Sequence, residues 1–201
     1  MKRSKITILL AIVLGMTFHS CLDLEPQDQL GGKNMWTSVN DYKQFANTFY
    51  SWTRDFSSVV YDGTHSDKRS DLITYQSYNE FSRGINSIPS SDANYTDNYK
   101  HIRRTNLLLQ NAEAYAKPED IKQYIGEAYF FRAYSYFDLL QLYGDVIITK
   151  KPLDITDPEM KVKRNDRSEV VDLIIDDLNH AVENLPAFKE LTTEEEGRIS
   201  K

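Results

Sequence analysis

One stretch of the chain constrains the fold more than any other, because it is apolar almost all the way around a helix. Twelve of the sixteen residues 128–143 are apolar or aromatic, and the four polar ones recur at intervals of three. These polar residues are Arg132, Ser135, Asp138 and Gln141. A helix that is apolar on nearly all sides is buried on nearly all sides. We therefore expect a helical protein built around this segment, in which Arg132 finds a polar partner or reaches water along the polar stripe.

The chain before this segment shows one helix and then a long irregular stretch. Ser38, with Asp41 three residues later, is typical of a helix start, and aromatic residues follow at helical spacing as far as Trp52. Residues 54–98 show no lasting period and are dense in turn-forming residues. A loop of this length inside a domain is uncommon and is usually functional.

Three further helices are predicted after this loop. The first covers 99–116, and the second covers 118–143, where Pro118 suits the first turn. Asp166 and Glu169 form a capping pair for the last helix, which ends before Pro186. Its apolar face is expected to consist of Val171, Ile174, Ile175, Leu178, Ala181, Val182 and Leu185.

Helical pairs on short connectors indicate the fold class. We expect a mainly α protein of tetratricopeptide-like helical pairs, interrupted by one long irregular loop region, over residues 38–201. The strict repeat consensus of tetratricopeptide proteins is not met, since only residues 125–129 match a fragment of it.

The N-terminal residues are typical of an export signal. Lys2, Arg3 and Lys5 precede an apolar run over 6–18, which is shorter than the about 20 residues that a membrane-spanning helix needs. Cys21, the only cysteine, follows this run after His19 and the small Ser20, and it resembles the lipidated cysteine of bacterial lipoproteins. We expect residues 1–20 to be a lipoprotein signal peptide, Cys21 to carry the lipid and 21–37 to form a tether. A secreted protein with an incidental free cysteine is the alternative.

Charge and motif content argue against two classes of function. The net charge is −6, although the first twenty residues hold three basic residues and no acid, so the body is more acidic still. Such a body has no electrostatic reason to bind nucleic acid. Nucleotide-binding, hydrolase and metalloprotease motifs are missing, and neighbouring carboxylates such as Asp176 and Asp177 are expected on a solvated helix face. We expect no catalytic residue, metal site or cofactor.

Aromatic and polar residues in and beside the long loop suit a sugar ligand. The apolar faces of sugar rings pack on flat aromatic side chains, and sugar hydroxyls need hydrogen-bonding partners. The alternative is that these rings fill the core beneath the loop. The candidate ligand-binding residues are Trp52, Asp67, Arg69, Asp71, Tyr75 and Tyr78.

The ordered motifs resemble a known family. The strongest one, EAYFFRAYSYFDLLQLYGDV at 127–146, is similar to the long buried helix, with its Gly-Asp exit, of the SusD/RagB outer-membrane nutrient-binding lipoproteins. Residues 99–106 resemble the helix before it and residues 167–186 the helix after it, while residues 197–201 resemble the start of the next repeat helix. The family's members are considerably longer, so the resemblance implies that this chain is the N-terminal part of one.

The resemblance also implies a function. It points to a surface-exposed outer-membrane lipoprotein that captures oligosaccharides, or sometimes peptides, and delivers them to a TonB-dependent (SusC-like) barrel. No ligand residue can be transferred by motif, because family members differ most in the loop. The alternatives are a periplasmic helical-repeat adaptor that binds a protein, which predicts an apolar groove, and a surface glycoside hydrolase, which predicts two facing carboxylates.

Overall fold

Four α-helices form the framework of the protein, whose computed structural model describes residues 35–54, 84–85, 87–154 and 156–201. No β-strand forms among these residues, so the prediction of a mainly α protein is confirmed. The helices are α1 (Val39–Asn47), α2 (Ala93–Glu113), α3 (Lys122–Tyr143) and α4 (Arg167–Asn184). The 3₁₀ turns are Thr48–Trp52, Pro118–Ile121, Pro158–Lys161, Phe188–Glu190 and Thr193–Glu195.

The predicted capping pairs start α1 and α4. The Asp41 carboxylate accepts a hydrogen bond from the Ser38 backbone N–H at 2.8 Å, and the Ser38 hydroxyl accepts one from the Asp41 N–H at 3.3 Å. Glu169 likewise accepts from the Asp166 N–H at 3.0 Å. These bonds satisfy backbone donors that the first turn of a helix cannot pair internally, so each helix begins where the sequence predicts.

Helix α2 begins earlier than the sequence predicts. Its first residue is Ala93 rather than Tyr99, because the Asp92 carboxylate caps the helix by accepting from the Asn94 N–H at 2.9 Å. Asp92 follows a Pro-Ser-Ser turn in the sequence, and an aspartate in that context favours a turn as readily as a helix start. The irregular loop is therefore shorter at its C-terminal end than expected.

Helix α3 lies between α2 and α4 and contacts both, which confirms its predicted central position. The side chains of Phe131, Tyr136 and Leu139 are fully buried. Gly126 of α3 lies against the residue that follows α4, since a β-carbon there would lie 2.9 Å from Cγ of Leu185 and 3.0 Å from its backbone nitrogen. The absence of a side chain at this position therefore lets the C-terminal end of α4 pack tightly against α3.

Arg132 finds the buried partner that the sequence analysis requires. Its Nε and Nη2 donate to the two carboxylate oxygens of Asp177 at 2.8 and 2.6 Å, and its Nη1 donates to Oδ1 of Asn106 at 2.8 Å. The guanidinium also lies over the Tyr129 ring at 5.2 Å. Burial lowers the pKa of Arg132, but the hydrogen bonds and charge of Asp177 outweigh it and leave the pKa raised. Arg132 therefore keeps its positive charge in the core, where Asp177 binds it through two hydrogen bonds.

The expected face of α4 is right at Ile174, Ala181 and Leu185 and wrong at its other positions. Asp177 is fully buried rather than solvated, and it turns the helix so that its own stripe faces α3. The buried α4 residues are Val170, Leu173, Asp177 and Ala181, followed by Leu185 beyond the helix. Four residues of the expected face are instead exposed, namely Val171, Ile175, Leu178 and Val182. Apolar periodicity displaced the expected face to one side because the buried stripe includes a charged residue, Asp177.

Another buried carboxylate, that of Glu127 on α3, holds the last residues of the chain. Glu127 is fully buried and accepts from Nε and Nη2 of Arg198 at 2.8 and 2.7 Å. The rings of Tyr50 and Tyr124 lie 5.2 and 5.4 Å from the Arg198 guanidinium. Burial raises the pKa of Glu127. Residues 197–201, which resemble the start of a helix in the family, contain no helical residue here.

Candidate functional site

Trp52 is the one predicted ligand-binding residue that falls within the described residues. It ends the 3₁₀ turn Thr48–Trp52, and its half-buried ring is stacked on His101 of α2 at 4.0 Å with an interplanar angle of 14°. Phe49 and Phe131 lie against the same ring at 4.7 and 5.8 Å. The indole is therefore held in one orientation by the helical framework while part of it stays open to solvent.

His101 contributes a neutral ring to this stack. Burial lowers the pKa of His101 to about 4, against the opposing effect of Asp97 and with a smaller contribution from Arg104 and Lys100. At neutral pH the stack therefore consists of two uncharged aromatic rings. A rigid, uncharged platform of this kind suits contact with the C–H face of a sugar.

Arg54 fixes the chain immediately after this platform. Its guanidinium forms an ion pair with Asp138 of α3 and lies over the Tyr134 ring at 5.7 Å. The stretch 55–83 follows directly in the sequence. The framework thus positions Trp52 beside the point from which that stretch begins.

The remaining predicted site residues cannot be assigned a position. Asp67, Arg69, Asp71, Tyr75 and Tyr78 all lie outside the described residues, and their proximity to Trp52 stays a prediction. Cys21, the predicted lipidation site, lies outside them as well.

A cavity of about 410 Å³, here called the α2 cavity, is a feature that the sequence analysis missed. One wall is a face of α2, and the other is an extended segment whose alternate residues 147, 149, 151 and 153 line the cavity. Glu159 adds a carboxylate from the 3₁₀ turn after that segment. The lining residues are Tyr95, Thr96, Tyr99, Lys100, Arg103, Ile147, Thr149, Lys151, Leu153 and Glu159.

Side chains hold the extended wall in place without a sheet. The Tyr99 hydroxyl donates to the Ile147 carbonyl at 2.8 Å and accepts from the Ile147 N–H at 2.9 Å. The Tyr136 hydroxyl does the same for Thr149, at 3.2 and 2.7 Å. Within the described part of the chain, strand-like backbone pairing is confined to the single bridge between residues 146 and 165. Hydroxyl groups of the helices therefore replace a neighbouring strand.

A third side chain fastens the same wall. The Asn106 amide nitrogen donates to the carbonyls of Thr149 and Lys151 at 3.0 and 3.3 Å. Since its amide oxygen accepts from buried Arg132, the wall is tied to the centre of the core. Walls fixed in this way reorganise little when a ligand enters.

The rim of the α2 cavity is charged, and basic groups outnumber acidic ones. Lys151 pairs with Glu159 at 2.7 Å, and Arg103 donates to the Leu153 carbonyl at 3.2 Å. Lys100 is a third basic residue of the lining; it is exposed and pairs with Asp97 at 2.7 Å. Tyr95, Tyr99, Ile147 and Leu153 supply the apolar part of the lining.

Two signals in the sequence could have revealed the cavity. Tyr95 and Tyr99 stand one helical turn apart, which places them on one face, but only if the helix starts before residue 95. The residues 147, 149, 151 and 153 alternate as in a strand, although the charged Lys151 interrupts their apolar pattern. The late start predicted for α2 hid the first signal.

The described residues form neither a metal-binding cluster nor a membrane-spanning helix. Among the residues that the structure describes, no group of three histidine, cysteine, aspartate or glutamate side chains is arranged to hold a metal ion. In the same residues, each helix falls short of the length and apolarity that a membrane crossing requires.

Helical pairs packed around one central buried helix define the class of this protein as a tetratricopeptide-like α-helical scaffold. Its family is also identifiable. The model of the SusD-like family described as "Starch-binding associating with outer membrane" matches residues 22–196. The chain belongs to this SusD-like family, which confirms the resemblance found in the sequence.

Two curated relatives come from Formosa agariphila. SusD-like protein P38 is 28% identical over 204 residues, which cover 92% of this chain and 38% of that protein. SusD-like protein P2 is 27% identical over 203 residues, which cover 92% of this chain and 39% of that protein. The chain thus spans about two fifths of the length of these relatives.

Solved structures of SusD-like proteins share the fold. A crystal structure of a SusD-like protein from Bacteroides fragilis is 26% identical with a TM-score of 0.69, and the match covers 88% of this chain and 35% of that one. A laminarin-binding SusD-like protein is 29% identical with a TM-score of 0.52, over 60% of this chain and 26% of that one. These matches support the tetratricopeptide-like arrangement.

Proposed function

We propose that the protein containing this chain captures oligosaccharides at the outer membrane and delivers them to a TonB-dependent, SusC-like barrel, without catalysing a reaction. The observation that carries the proposal is membership of a family described as starch-binding and associating with the outer membrane, over residues 22–196. The laminarin-binding structural neighbour supports a carbohydrate as the ligand. Because the chain spans about two fifths of its relatives, the proposal concerns the whole protein.

Trp52 is the proposed platform for a sugar ring. The neutral His101 ring behind it, together with Phe49 and Phe131, holds the indole before any ligand arrives. Pre-organisation lowers the entropy that binding must overcome, which favours a shallow site that would otherwise bind weakly. Asp67, Arg69, Asp71, Tyr75 and Tyr78 are the proposed hydrogen-bonding and stacking partners, since they follow Trp52 in the adjoining stretch.

The two tryptophans of the chain provide a direct test. Trp36 packs on Tyr42 and Phe45 at 5.0 and 4.7 Å, away from the contacts of Trp52. The variant Trp36→Phe therefore leaves Trp52 as the only indole reporter, and the matched variant Trp52→Phe leaves only Trp36. We expect saturable fluorescence changes with oligosaccharides in the first variant and none in the second.

Calorimetry distinguishes the proposed role of Trp52 from the proposed capture of carbohydrate by the protein. If Trp52→Ala lowers oligosaccharide affinity by about two- to tenfold, as loss of a stacking contact of about 0.5–1.5 kcal/mol requires, the platform is supported. Unchanged affinity in Trp52→Ala would remove Trp52 from the site while leaving carbohydrate capture intact. If no member of a broad panel of neutral and acidic oligosaccharides binds, the proposed function itself is wrong.

The proposed anchor is a lipid on Cys21, with residues 1–20 as its signal peptide, residues 21–37 as a tether and residues 38–201 as the N-terminal part of the helical domain. Acyl chains on Cys21 would hold the protein at the membrane, since each buried methylene contributes about 0.8 kcal/mol. We expect the expressed protein to enter the detergent phase on phase separation and Cys21→Ala to stay in the aqueous phase. Equal partitioning of both would refute the anchor.

A protein-binding adaptor is the second candidate, and one observation favours it. The exposed stripe Val171, Ile175, Leu178 and Val182 on α4 is an apolar surface of the kind that contacts another protein. Ile175→Ser separates the two candidates: an oligosaccharide binder should keep its sugar affinity in this variant. An adaptor should show no sugar binding and should lose its protein partner.

A further inference from the structure

The α2 cavity is separate from the Trp52 platform. None of its lining residues is Trp52 or a ring that contacts Trp52. Its volume of about 410 Å³ falls in the range of roughly 300–1,000 Å³ in which small-molecule sites occur. A second binding site can therefore be considered on its own geometry.

The walls of the cavity are built before any ligand binds. The Tyr99 hydroxyl pairs with both backbone groups of Ile147, and the Asn106 amide holds the carbonyls of Thr149 and Lys151. Burial raises the pKa of Tyr99, so its hydroxyl stays protonated and continues to donate. A cavity that is merely a gap between mobile loops would not have its backbone hydrogen bonds satisfied from the core in this way.

The lining combines an apolar floor with a basic rim. Tyrosine rings and aliphatic side chains form the floor, as the C–H face of a pyranose requires, and two threonines lie among them. Of the charged lining residues, Lys100, Arg103 and Lys151 are basic and only Glu159 is acidic. Each of these basic residues has an acidic neighbour, namely Asp97 for Lys100, Asp154 for Arg103 and Glu159 for Lys151.

The ion pairs at the rim are weak competitors for an incoming anion. Lys151 and Glu159 are each about half exposed, and Arg103 reaches Asp154 only at 3.4 Å. Exposed ion pairs of this kind contribute little to stability, so a ligand can replace them at low cost. A ligand carboxylate bound by the guanidinium beside the apolar lining gains charge-assisted hydrogen bonds in return.

We propose that the α2 cavity binds an acidic sugar unit, with the pyranose ring on the tyrosine floor and its carboxylate held by Arg103 and Lys151. The proposal rests on the proposed function for the chemical class of the ligand, and it adds both a second site and a charge preference. Such a site would let the protein hold an acidic oligosaccharide at two points.

The test compares two oligosaccharides of equal length on the full chain. Tetragalacturonate is the acidic probe and maltotetraose the neutral one, each titrated by calorimetry into the wild type and into Arg103→Gln/Lys151→Gln. The control double variant Lys117→Gln/Lys189→Gln removes the same charge at exposed lysines that do not line the cavity. Thr96→Tyr narrows the cavity without changing its charge, and circular dichroism verifies that each variant is folded.

We expect tetragalacturonate affinity to fall at least about tenfold in the cavity double variant and in Thr96→Tyr, and to change less than about twofold in the control. Added salt should weaken tetragalacturonate binding and leave maltotetraose unaffected, because only the first is screened. Wild-type affinity in the cavity double variant, or an equal loss in the control, would overturn the inference.

The outcomes distinguish this inference from the proposed function. If oligosaccharides still change the Trp52 fluorescence of Trp36→Phe while the cavity variants bind tetragalacturonate normally, the cavity inference fails and carbohydrate capture stands. If neither probe nor any other oligosaccharide binds the wild type, the proposed function fails and the cavity loses its proposed ligand with it.

Discussion

Removal of the Asp177 carboxylate provides the sharpest test of how the helices are held together. Asp177→Ala leaves the Arg132 guanidinium in the core without the two hydrogen bonds of 2.8 and 2.6 Å that neutralise it. The remaining contacts of Arg132 are Oδ1 of Asn106 at 2.8 Å and the Tyr129 ring at 5.2 Å, and neither carries a negative charge.

The expected loss in the free energy of unfolding follows from the burial of both side chains. The side chains of Arg132 and Asp177 are 6% and 0% exposed, so water cannot replace the lost carboxylate. Removing one partner of a buried pair typically lowers the free energy of unfolding by about 3–5 kcal/mol. Domains are typically stable by only about 5–15 kcal/mol, so this one change should remove a large part of the total.

The neighbouring residue supplies a matched control. Asp176→Ala removes the same group one position earlier, from a side chain that is 57% exposed and 3.7 Å from His180. Exposed pairs contribute at most about 1 kcal/mol, so urea unfolding followed by circular dichroism should show a small loss for Asp176→Ala and a large one for Asp177→Ala. Equal losses in the two variants would refute the structural role assigned to Asp177. The double variant Arg132→Met/Asp177→Leu should recover much of the loss, because it leaves no charge buried.

Three further predictions concern α3, α2 and the cavity wall. Gly126→Ala should lower the free energy of unfolding by about 1–3 kcal/mol in urea denaturation, because its β-carbon would lie 3.0 Å from the Leu185 backbone nitrogen, and an unchanged midpoint would contradict that contact. Burial lowers the pKa of His101 from 6.5 to about 4, so the unfolded chain binds a proton at His101 more readily than the folded protein does. The free energy of unfolding should therefore be highest above pH 6.5 and fall as the pH drops towards 4, more in the wild type than in His101→Gln. An NMR titration midpoint near 6.5 for His101 would contradict this prediction. Asn106→Asp should speed amide hydrogen exchange at residues 149–151 and weaken tetragalacturonate binding. The fluorescence of Trp52 should still respond to maltotetraose in this variant. Unchanged hydrogen exchange would show that Asn106 does not hold the wall of the cavity.

Local signals predicted those parts of the fold that depend on local chemistry. The Ser38–Asp41 capping pair starts α1 because both partners lie within one turn, and sequence spacing alone defines that geometry. The apolar content of residues 128–143 likewise predicts a central helix, whatever packs around it. The need of Arg132 for a partner was also evident, since a buried charge without one is too unfavourable to persist.

The features that the sequence did not predict depend on pairs distant in the chain. Arg132 and Asp177 are 45 positions apart, so nothing near Asp177 reveals that it is buried, and the apolar stripe beside it looked like the better core face. The α2 cavity depends on Tyr99 meeting Ile147 across 48 positions. Long-range polar contacts of this kind have no periodicity that a sequence pattern can show.

Asn106 links the ion pair in the core to the wall of the α2 cavity. Arg132 uses Nη1 to hold the amide oxygen of Asn106, and this leaves the amide nitrogen directed at the carbonyls of Thr149 and Lys151. The reverse orientation would place a donor against the guanidinium, so the Arg132–Asp177 pair selects the orientation that fastens the wall. Asp177→Ala should therefore disturb both the core and the cavity. Asn106→Asp instead keeps an acceptor for Arg132 and replaces the donor that holds the wall with a carboxylate oxygen, which repels the two carbonyls. If the wall depends on the core in this way, Asp177→Ala should speed amide exchange at residues 149–151 even under conditions in which the protein remains folded.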